Sequence, residues 1–213
     1  MAASLVVLAG EPVELHAERA LYWPRRRRWL IADLHLGKAD VFRRAGIGLP
    51  HGGTSHDLDR LSRLLDGSAT SELWILGDVL HGPSHATAWQ DSWRQWRARH
   101  GRLRVAALVG NHDRALARAD LGIDLLGESV DDPPFALRHE PRPHPALHVL
   151  CGHLHPRIAL PGLAGARLPL FWLRPGLTVL PAFSQFTGGV LVQPQPGEQA
   201  AVCAGDAVVW INT

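Results

Sequence analysis

Five short apolar runs of the sequence end in side chains that can bind metal ions or transfer protons. These are Asp33 and His35 in "WLIADLHLG", Asp78 in "ELWILGDVLH", Asn111, His112 and Asp113 in "RVAALVGNHD", His139 in "FALRHE", and His153 and His155 in "ALHVLCGHLH". In open α/β sheets, ligands bind beyond the carboxyl ends of the strands. If the runs are strands, the polar side chains that follow them are therefore expected to converge on one crevice.

Each motif alone has an ordinary alternative, but their combination is more specific. His153 and His155 share one face of an extended chain and can reach one site together. Asp33 could instead cap a turn, and a lone histidine such as His139 is more often a surface or core residue than a ligand. Burying so many polar groups without partners would cost several kcal/mol, and metal coordination removes that cost.

The hydrophobic pattern predicts the elements that position these groups. Strands are expected in nine apolar runs, "SLVVLA", "WLIADL", "ELWILG", "RVAALVG", "FALRH", "ALHVLCG", "FWLR", "TVLPAF" and "AVVWIN". Helices are expected in "TSHDLDRLSRLLDG" and "SHATAWQDSWRQWRARHG". The tryptophans Trp89, Trp93 and Trp96 recur at helical spacing, which favours a core face over a platform for stacking bases.

The order of the elements predicts an α/β fold with mixed sheets, because strands and helices alternate at first and strands dominate later. No internal repeat or low-complexity linker divides the chain, so a single domain over residues 1–213 is expected.

The composition is that of a soluble globular protein, with 46% hydrophobic and 20% charged residues. Two cysteines, Cys151 and Cys203, are too few for a disulfide framework, which indicates a reducing cytoplasm. We expect neither a signal peptide nor a membrane span. The net charge of +2 permits an anionic partner without demonstrating one, and Lys38 is the only lysine.

The five motifs, complete and in this order, resemble the signature blocks of the calcineurin-like metallophosphoesterase superfamily. The flanking segments "ADLHLGK", "FRRAGIGLP", "ILGDVLH", "FALRHEP", "GHLHP" and "LPAFSQFTGG" are similar to a narrower bacterial group, the ligase-associated DNA damage response endonucleases (PdeM). The resemblance covers about residues 4–193. It implies a four-layer α/β/β/α sandwich with two mixed sheets.

The resemblance also implies two divalent metal ions. The first would be held by Asp33, His35, Asp78 and His155, and the second by Asp78, Asn111, His139 and His153, with the Asp78 carboxylate bridging them. These donor types suit manganese, with iron, zinc or magnesium as alternatives, and the lack of cysteine among them argues against a closed structural zinc site.

By the same resemblance, a metal-bound hydroxide attacks phosphorus and His112 protonates the leaving group. Asp113 either orients His112 or caps a turn, and the sequence leaves both possibilities open. Arg43, Arg44 and His81 are candidates for contacting the substrate. The arginine run "RRRR" is expected at a hairpin turn, at the opposite end of its strand from the metals.

These features predict a metal-dependent phosphoesterase that hydrolyses phosphodiester bonds, specifically a DNA endonuclease in bacterial DNA repair. DNA is the expected substrate, and DNA ligase and other repair proteins are the expected functional associates. The alternatives are a small-molecule phosphoesterase acting on nucleotides or other phosphate esters, and a non-catalytic interaction module. The presence of every ligand type together with His112 speaks against the last.

Overall fold

The computed structural model describes residues 3–44, 46, 53–81, 87–160 and 165–212. The α-helices are α1 (Lys38–Arg44), α2 (Gly53–Asp66) and α3 (Thr87–Arg99). The first seven strands are β1 (Ala3–Leu8), β2 (Glu11–His16), β3 (Ala20–Trp23), β4 (Arg28–Ile31), β5 (Glu72–Ile75), β6 (Arg104–Ala107) and β7 (Asp124–Leu125). The remaining strands are β8 (Ser129–Asp132), β9 (Phe135–Arg138), β10 (His148–Cys151), β11 (Arg157–Ala159), β12 (Arg167–Arg174), β13 (Leu177–Val179), β14 (Gln199–Ala204) and β15 (Ala207–Asn212).

The strands form two mixed sheets. The first sheet has the order β1-β2-β3-β4-β5-β6-β7, antiparallel from β1 to β4 and parallel from β4 to β7. The second has the order β15-β14-β12-β13-β10-β9-β8, in which β9, β10 and β13 are parallel, and β11 pairs with β12. The strands that precede the polar motifs run parallel to one another within each sheet, β4, β5 and β6 in the first and β9 and β10 in the second.

The alternation of side chains along β4, β5 and β6 gives each face of the first sheet its own core. Trp29, Ile31 and Ile75 point to the outer face, where they pack with leucines of α2 and the tryptophans of α3. Leu30 and Leu76 point to the inner face, where they pack with residues of the second sheet. The predicted core-facing tryptophan stripe is therefore confirmed.

The mixed α/β fold with two mixed sheets is also confirmed. Within the described residues, α2 and α3 cover the first sheet, and no α-helix covers the outer face of the second. That face carries two smaller apolar clusters, which are closed by β11 and by loop residues such as Leu147, Leu154 and Val192. The outer helical layer expected on this side is replaced there by loops and one short strand.

All nine predicted strand runs contain a strand, and both predicted helices are present. The start of the second helix, residues 84–86, lies outside the described part of the chain. The strands β2, β3, β7, β8, β11 and β14 lie outside the predicted runs. Among them, β2, β8 and β14 have the sequences "EPVELH", "SVDD" and "QAAVCA", which lack long runs of Val, Ile and Leu.

The predicted arginine-rich hairpin turn joins β3 to β4 and is engaged within the chain. Arg26 and Arg28 both pair with Asp132 on β8, and Arg25 pairs with Glu11 on β2. Since β4 runs from this turn towards the first motif, the turn lies at the opposite end of the strand, as predicted.

Candidate metal centre

The loops that follow the parallel strands bring the motifs together by continuing the pairing of the sheets. Asp33 N–H donates to the Gly77 carbonyl at 3.2 Å, and His35 N–H donates to the Asp78 carbonyl at 2.9 Å. In the second sheet, Gly152 N–H donates to the His139 carbonyl at 3.1 Å. The backbone N–H of His153 then donates to Asp33 Oδ2 at 3.0 Å, which joins the motifs of the two sheets.

The backbone is unusual at five of the predicted ligands. Left-handed φ angles between 47° and 71° occur at Asp33, His35, Asp78, His153 and His155. Such angles are unfavourable for residues with a Cβ atom and cluster at functional sites, where the surrounding structure enforces them. The angles turn the side chains out of the strand direction and towards the crevice between the motifs.

Glycines make room for the ligands. A Cβ atom at Gly77 would collide with the His139 ring, and one at Gly110 would collide with the Asp78 side chain and its backbone nitrogen. A Cβ at Gly152 would lie 2.6 Å from Asp33 Oδ2. Glycine is therefore required before three motifs because a ligand from another motif lies against its backbone.

One half of the cluster contains Asp33, His35 and His155. His155 Nε2 lies 3.3 Å from Asp33 Oδ1 and 3.5 Å from His35 Nε2. Ligand atoms of the three residues all lie within 4.8 Å of one another, so a single metal ion could contact all of them.

The other half contains Asn111, His139 and His153. Asn111 Oδ1 lies 2.9 Å from His139 Nε2 and 3.2 Å from His153 Nδ1, and the two ring nitrogens are 3.1 Å apart. His139 Nδ1 donates to the Leu76 carbonyl at 2.9 Å, which fixes the ring and leaves Nε2 available as a ligand.

Asp78 lies between the two halves. Its Oδ2 is 3.9 Å from His35 Nε2 in the first half, and its Oδ1 is 3.5 Å from His139 Nε2 in the second half. The two oxygens therefore face different halves of the cluster. Asp33 also approaches both sides, with Oδ1 3.9 Å from His139 Nδ1, and Asp33, Asp78 and His139 form a second group that could hold a metal.

The charges of the cluster fit divalent metal ions. Asp33 is 0% exposed and Asp78 is 2% exposed, and within the described residues neither pairs with an arginine or lysine within 4.0 Å. Two buried carboxylates without a cation are strongly unfavourable, and bound metal ions would remove that cost.

The protonation of His35 also suits metal binding. Burial, followed by the charge of Lys38, lowers the pKa of His35 to about 2, so its imidazole is neutral and can act as a ligand at neutral pH.

The predicted acid lies at the open edge of the cluster. His112 is exposed, and its backbone N–H donates to Asp78 Oδ1 at 3.0 Å. Asp113 is buried, and its two oxygens accept hydrogen bonds from the N–H groups of Leu80 at 3.0 Å and Gly110 at 2.9 Å. The contacts of Asp113 are those of the turn-capping alternative, because they fasten together the loops that follow β5 and β6.

Aromatic rings extend from His112 away from the ligands. The His81 ring stacks on His112 with centroids 5.4 Å apart, and Phe42 of α1 stacks on His81 at 6.0 Å. Burial and the charge of Lys38 lower the pKa of His81 to about 4, so this ring is neutral. The structure thus brings His81 beside the predicted acid.

A model of the family described as calcineurin-like phosphoesterase matches residues 26–155, which contain all five motifs. The chain belongs to this family. It is therefore a metal-dependent phosphoesterase, as the motifs predicted.

One solved structure is similar over the whole length. It is a nuclease, MPE, from Pseudomonas putida, with 37% sequence identity and a TM-score of 0.85, covering 98% of this chain and 100% of that one. A phosphoesterase from Escherichia coli, Yfce, matches at 16% identity and a TM-score of 0.47, covering 86% and 97% of the two chains. No curated protein matches the chain.

The other two predicted substrate contacts, Arg43 and Arg44, lie on α1, outside the five motifs. Arg43 pairs with Asp40 of the same helix. The side chain of Arg44 lies outside the described part of the structure.

A cavity of about 360 Å³ borders the centre at Asn111 and His139. Arg138 and Arg142 are among its lining residues, and Arg138 Nε is buried there without a hydrogen-bond partner among the described residues. A cavity of this size can accept part of a small ligand.

Sequence reasoning missed Lys38, which is 9% exposed and feels the charges of Asp33 and Asp78. Burial lowers its pKa, and the two carboxylates oppose that shift. The available signal was its position three residues after His35, combined with its being the only lysine. Elsewhere, no helix in the described ranges is both long enough and apolar enough to cross a membrane.

Proposed function

We propose that this chain is a dinuclear metal-dependent phosphodiesterase that cleaves DNA. The observation that carries the proposal is its similarity to the Pseudomonas putida nuclease, at 37% identity over 98% of the chain. The open edge of the centre at Asn111 and His112 supports it, since an exposed site can admit a segment of a long polymer.

The ligand assignment follows the two halves of the cluster. Asp33, His35 and His155 would hold one ion, and Asn111, His139 and His153 would hold the other, with Asp78 shared between them. Two divalent ions held there, which we expect to be manganese, would activate water and stabilise the charge of the phosphoryl group.

The residues around the ions would control the substrate and the proton. His112 would donate a proton to the leaving oxygen, and the hydrogen bond from its backbone N–H to Asp78 would hold the residue beside the centre. Asp113 would position His112 through the loops it fastens, and His81 would support the ring of His112 by stacking. Arg43 and Arg44 remain candidate contacts to DNA outside the centre.

The wider role is proposed on the resemblance of the flanking segments to the ligase-associated DNA damage response endonucleases. We propose a bacterial DNA-repair endonuclease that works in the cytoplasm, associates functionally with DNA ligase and forms a single domain over residues 1–213.

A small phosphate ester is the second candidate substrate, because the cavity of about 360 Å³ beside Asn111 and His139 could accept part of a nucleotide. A panel of substrates separates the two. The purified protein is assayed with Mn²⁺, Mg²⁺, Zn²⁺ or no metal, against single-stranded and duplex DNA, nucleotides, an aryl phosphodiester and an aryl phosphomonoester.

The proposal predicts metal-dependent cleavage of DNA and of the aryl diester. Rapid turnover of a nucleotide with intact DNA would replace the nuclease assignment with the small-molecule one.

A further inference from the structure

Lys38 is a buried cation beside the candidate centre, and Asp33 and Asp78 are the described anions whose charges act on it. It is 9% exposed, and the ion pairs within 4.0 Å that the described residues form with Asp33 and Asp78 involve histidines and not Lys38 Nζ. Burying an ammonium group without an anion is unfavourable. Metal ions bound at the centre would neutralise the nearby carboxylates of Asp33 and Asp78. The charge of the buried Lys38 ammonium would then need to be balanced by another anion.

The position of Lys38 is on the His112 side of the centre. Its Nζ lies 5.9 Å from the centroid of the Phe42 ring, and Phe42 is the outer ring of the stack that leads through His81 to His112. If His112 protonates the leaving oxygen, the leaving portion of the substrate must extend along this side. An anionic group there would meet the ammonium of Lys38.

The residue type supports a specific contact. Lys38 is the single lysine among 22 lysine and arginine residues, in a chain that otherwise uses arginine for every basic position. Lysine offers a compact charge with three donors, whereas the planar arginine fork is larger. At a site this enclosed, a compact cation fits one phosphate oxygen approaching from the crevice.

We propose that Lys38 binds the phosphate next to the scissile phosphate, on the leaving side of a polynucleotide. The inference rests on the proposed nuclease function and adds a determinant of substrate class. A small diester has no second phosphate, so Lys38 would select polynucleotides over small phosphate esters.

Dinucleotides that differ by one phosphate test the proposal. The metal-loaded protein is assayed with d(TpT), d(pTpT) and d(TpTp), which place an added phosphate on either nucleotide. The variants are Lys38→Met, Lys38→Gln and, as a control, Arg94→Met, which removes one charge from an exposed position on α3. Thermal melts establish that each variant folds. Two neutral replacements of Lys38 are used so that the test can still be made if one of them misfolds.

We expect one of the two added phosphates to raise the kcat/KM of the wild-type protein about tenfold or more, as for a charge-assisted hydrogen bond. Both Lys38 variants should lose most of this advantage, while Arg94→Met retains it. The proposal is wrong if neither phosphate helps the wild type, or if the Lys38 variants keep the full advantage. If the wild type hydrolyses an aryl ester but neither the dinucleotides nor longer DNA, the nuclease function itself fails.

Discussion

At the residue scale, the candidate centre depends on side chains that the local backbone would not favour. Left-handed angles at Asp33, Asp78 and His155, among others, cost of order 1–3 kcal/mol each. The surrounding hydrogen bonds hold them, including those between the loops after β4 and β5. The backbone of the motifs therefore holds the candidate ligands in a defined arrangement.

The role of His112 can be separated from metal binding. We predict that His112→Ala keeps the metal content of the wild type and lowers the kcat for diester hydrolysis by about 10²–10⁴, the usual contribution of a general acid. Metal analysis and steady-state kinetics on the same preparations check this.

His56→Ala is the matched control, because His56 lies exposed on α2. Full diesterase activity in His112→Ala would contradict the assignment of His112 as the general acid. A loss of bound metal would instead show that His112 contributes to the metal site.

Gly110 tests whether close packing of the backbone positions the shared carboxylate. We predict that Gly110→Ala weakens metal binding by about tenfold or more, because the added methyl group would displace Asp78. Metal titration followed by calorimetry measures the affinity.

Gly101→Ala is the control, since the nearest atom to a Cβ there is a carbonyl oxygen 3.8 Å away. Equal metal affinities for both variants would show that Asp78 does not need the space at Gly110.

The candidate ligands could be named from the sequence because each follows a recognisable apolar run. The bond of Asp113 to Leu80 and the proximity of Lys38 to His81 could not, because each joins parts of the chain that are distant in sequence.

At the element scale, a buried ionic network attaches α2 to the loop that follows β13. Arg60 is bonded to Asp57 Oδ1 at 2.9 Å, to Glu18 Oε2 at 2.7 Å and to the Phe183 carbonyl at 2.9 Å. The same loop donates from Ser184 N–H to the Asp33 carbonyl at 3.2 Å. The network therefore supports the backbone of the first metal motif.

Removing Arg60 should destabilise the protein strongly. We predict that Arg60→Met lowers the free energy of unfolding by about 3–5 kcal/mol, since it leaves Asp57 buried without its cation. Burial already raises the pKa of Asp57 and Arg60 opposes that shift, so part of the loss should be recovered as the pH falls and Asp57 is protonated. Urea unfolding at several pH values measures both effects.

The neighbouring Arg63 supplies the comparison. Its side chain is 54% exposed, and its ion pair with Glu18 is long, at 3.6 Å. Arg63→Met should change the free energy of unfolding by less than about 1 kcal/mol. Equal losses in the two variants would contradict the importance of the buried network.

The elements that carry motifs were predictable, because parallel strands buried on both faces need continuous apolar runs. The apolar runs of β4, β5 and β10 are easily recognised in the sequence for this reason. Strands such as β2 and β14 were not predictable from the sequence. Pro12 and charged residues interrupt the apolar pattern of β2, and alanines dominate β14. Pairing with neighbouring strands, and not local sequence, determines their conformation.

At the scale of the whole molecule, the two sheets meet at the candidate centre. Ala32 and Ala182 form a parallel bridge between the loops that follow β4 and β13, and Phe183 N–H donates to the Ala32 carbonyl at 2.8 Å. The apolar core between the sheets includes Leu30, Leu76 and Leu150, each close before a metal motif. Packing of the sheets thus assembles both halves of the cluster, because each half takes ligands from both sheets.

This joining of the sheets could not be derived from local patterns, since it depends on contacts more than a hundred residues apart in the chain. The resemblance of the motifs to a known family supplied the expectation of a two-sheet fold, and the structure confirmed it.

Titration of the metal-stripped protein with Mn²⁺, with hydrolysis of single-stranded DNA as the readout, tests the central claim most directly. The two-ion arrangement around Asp78 predicts no cleavage without metal and full activity only after two equivalents are bound. Cleavage in the presence of excess chelator, or full activity at one equivalent, would contradict it.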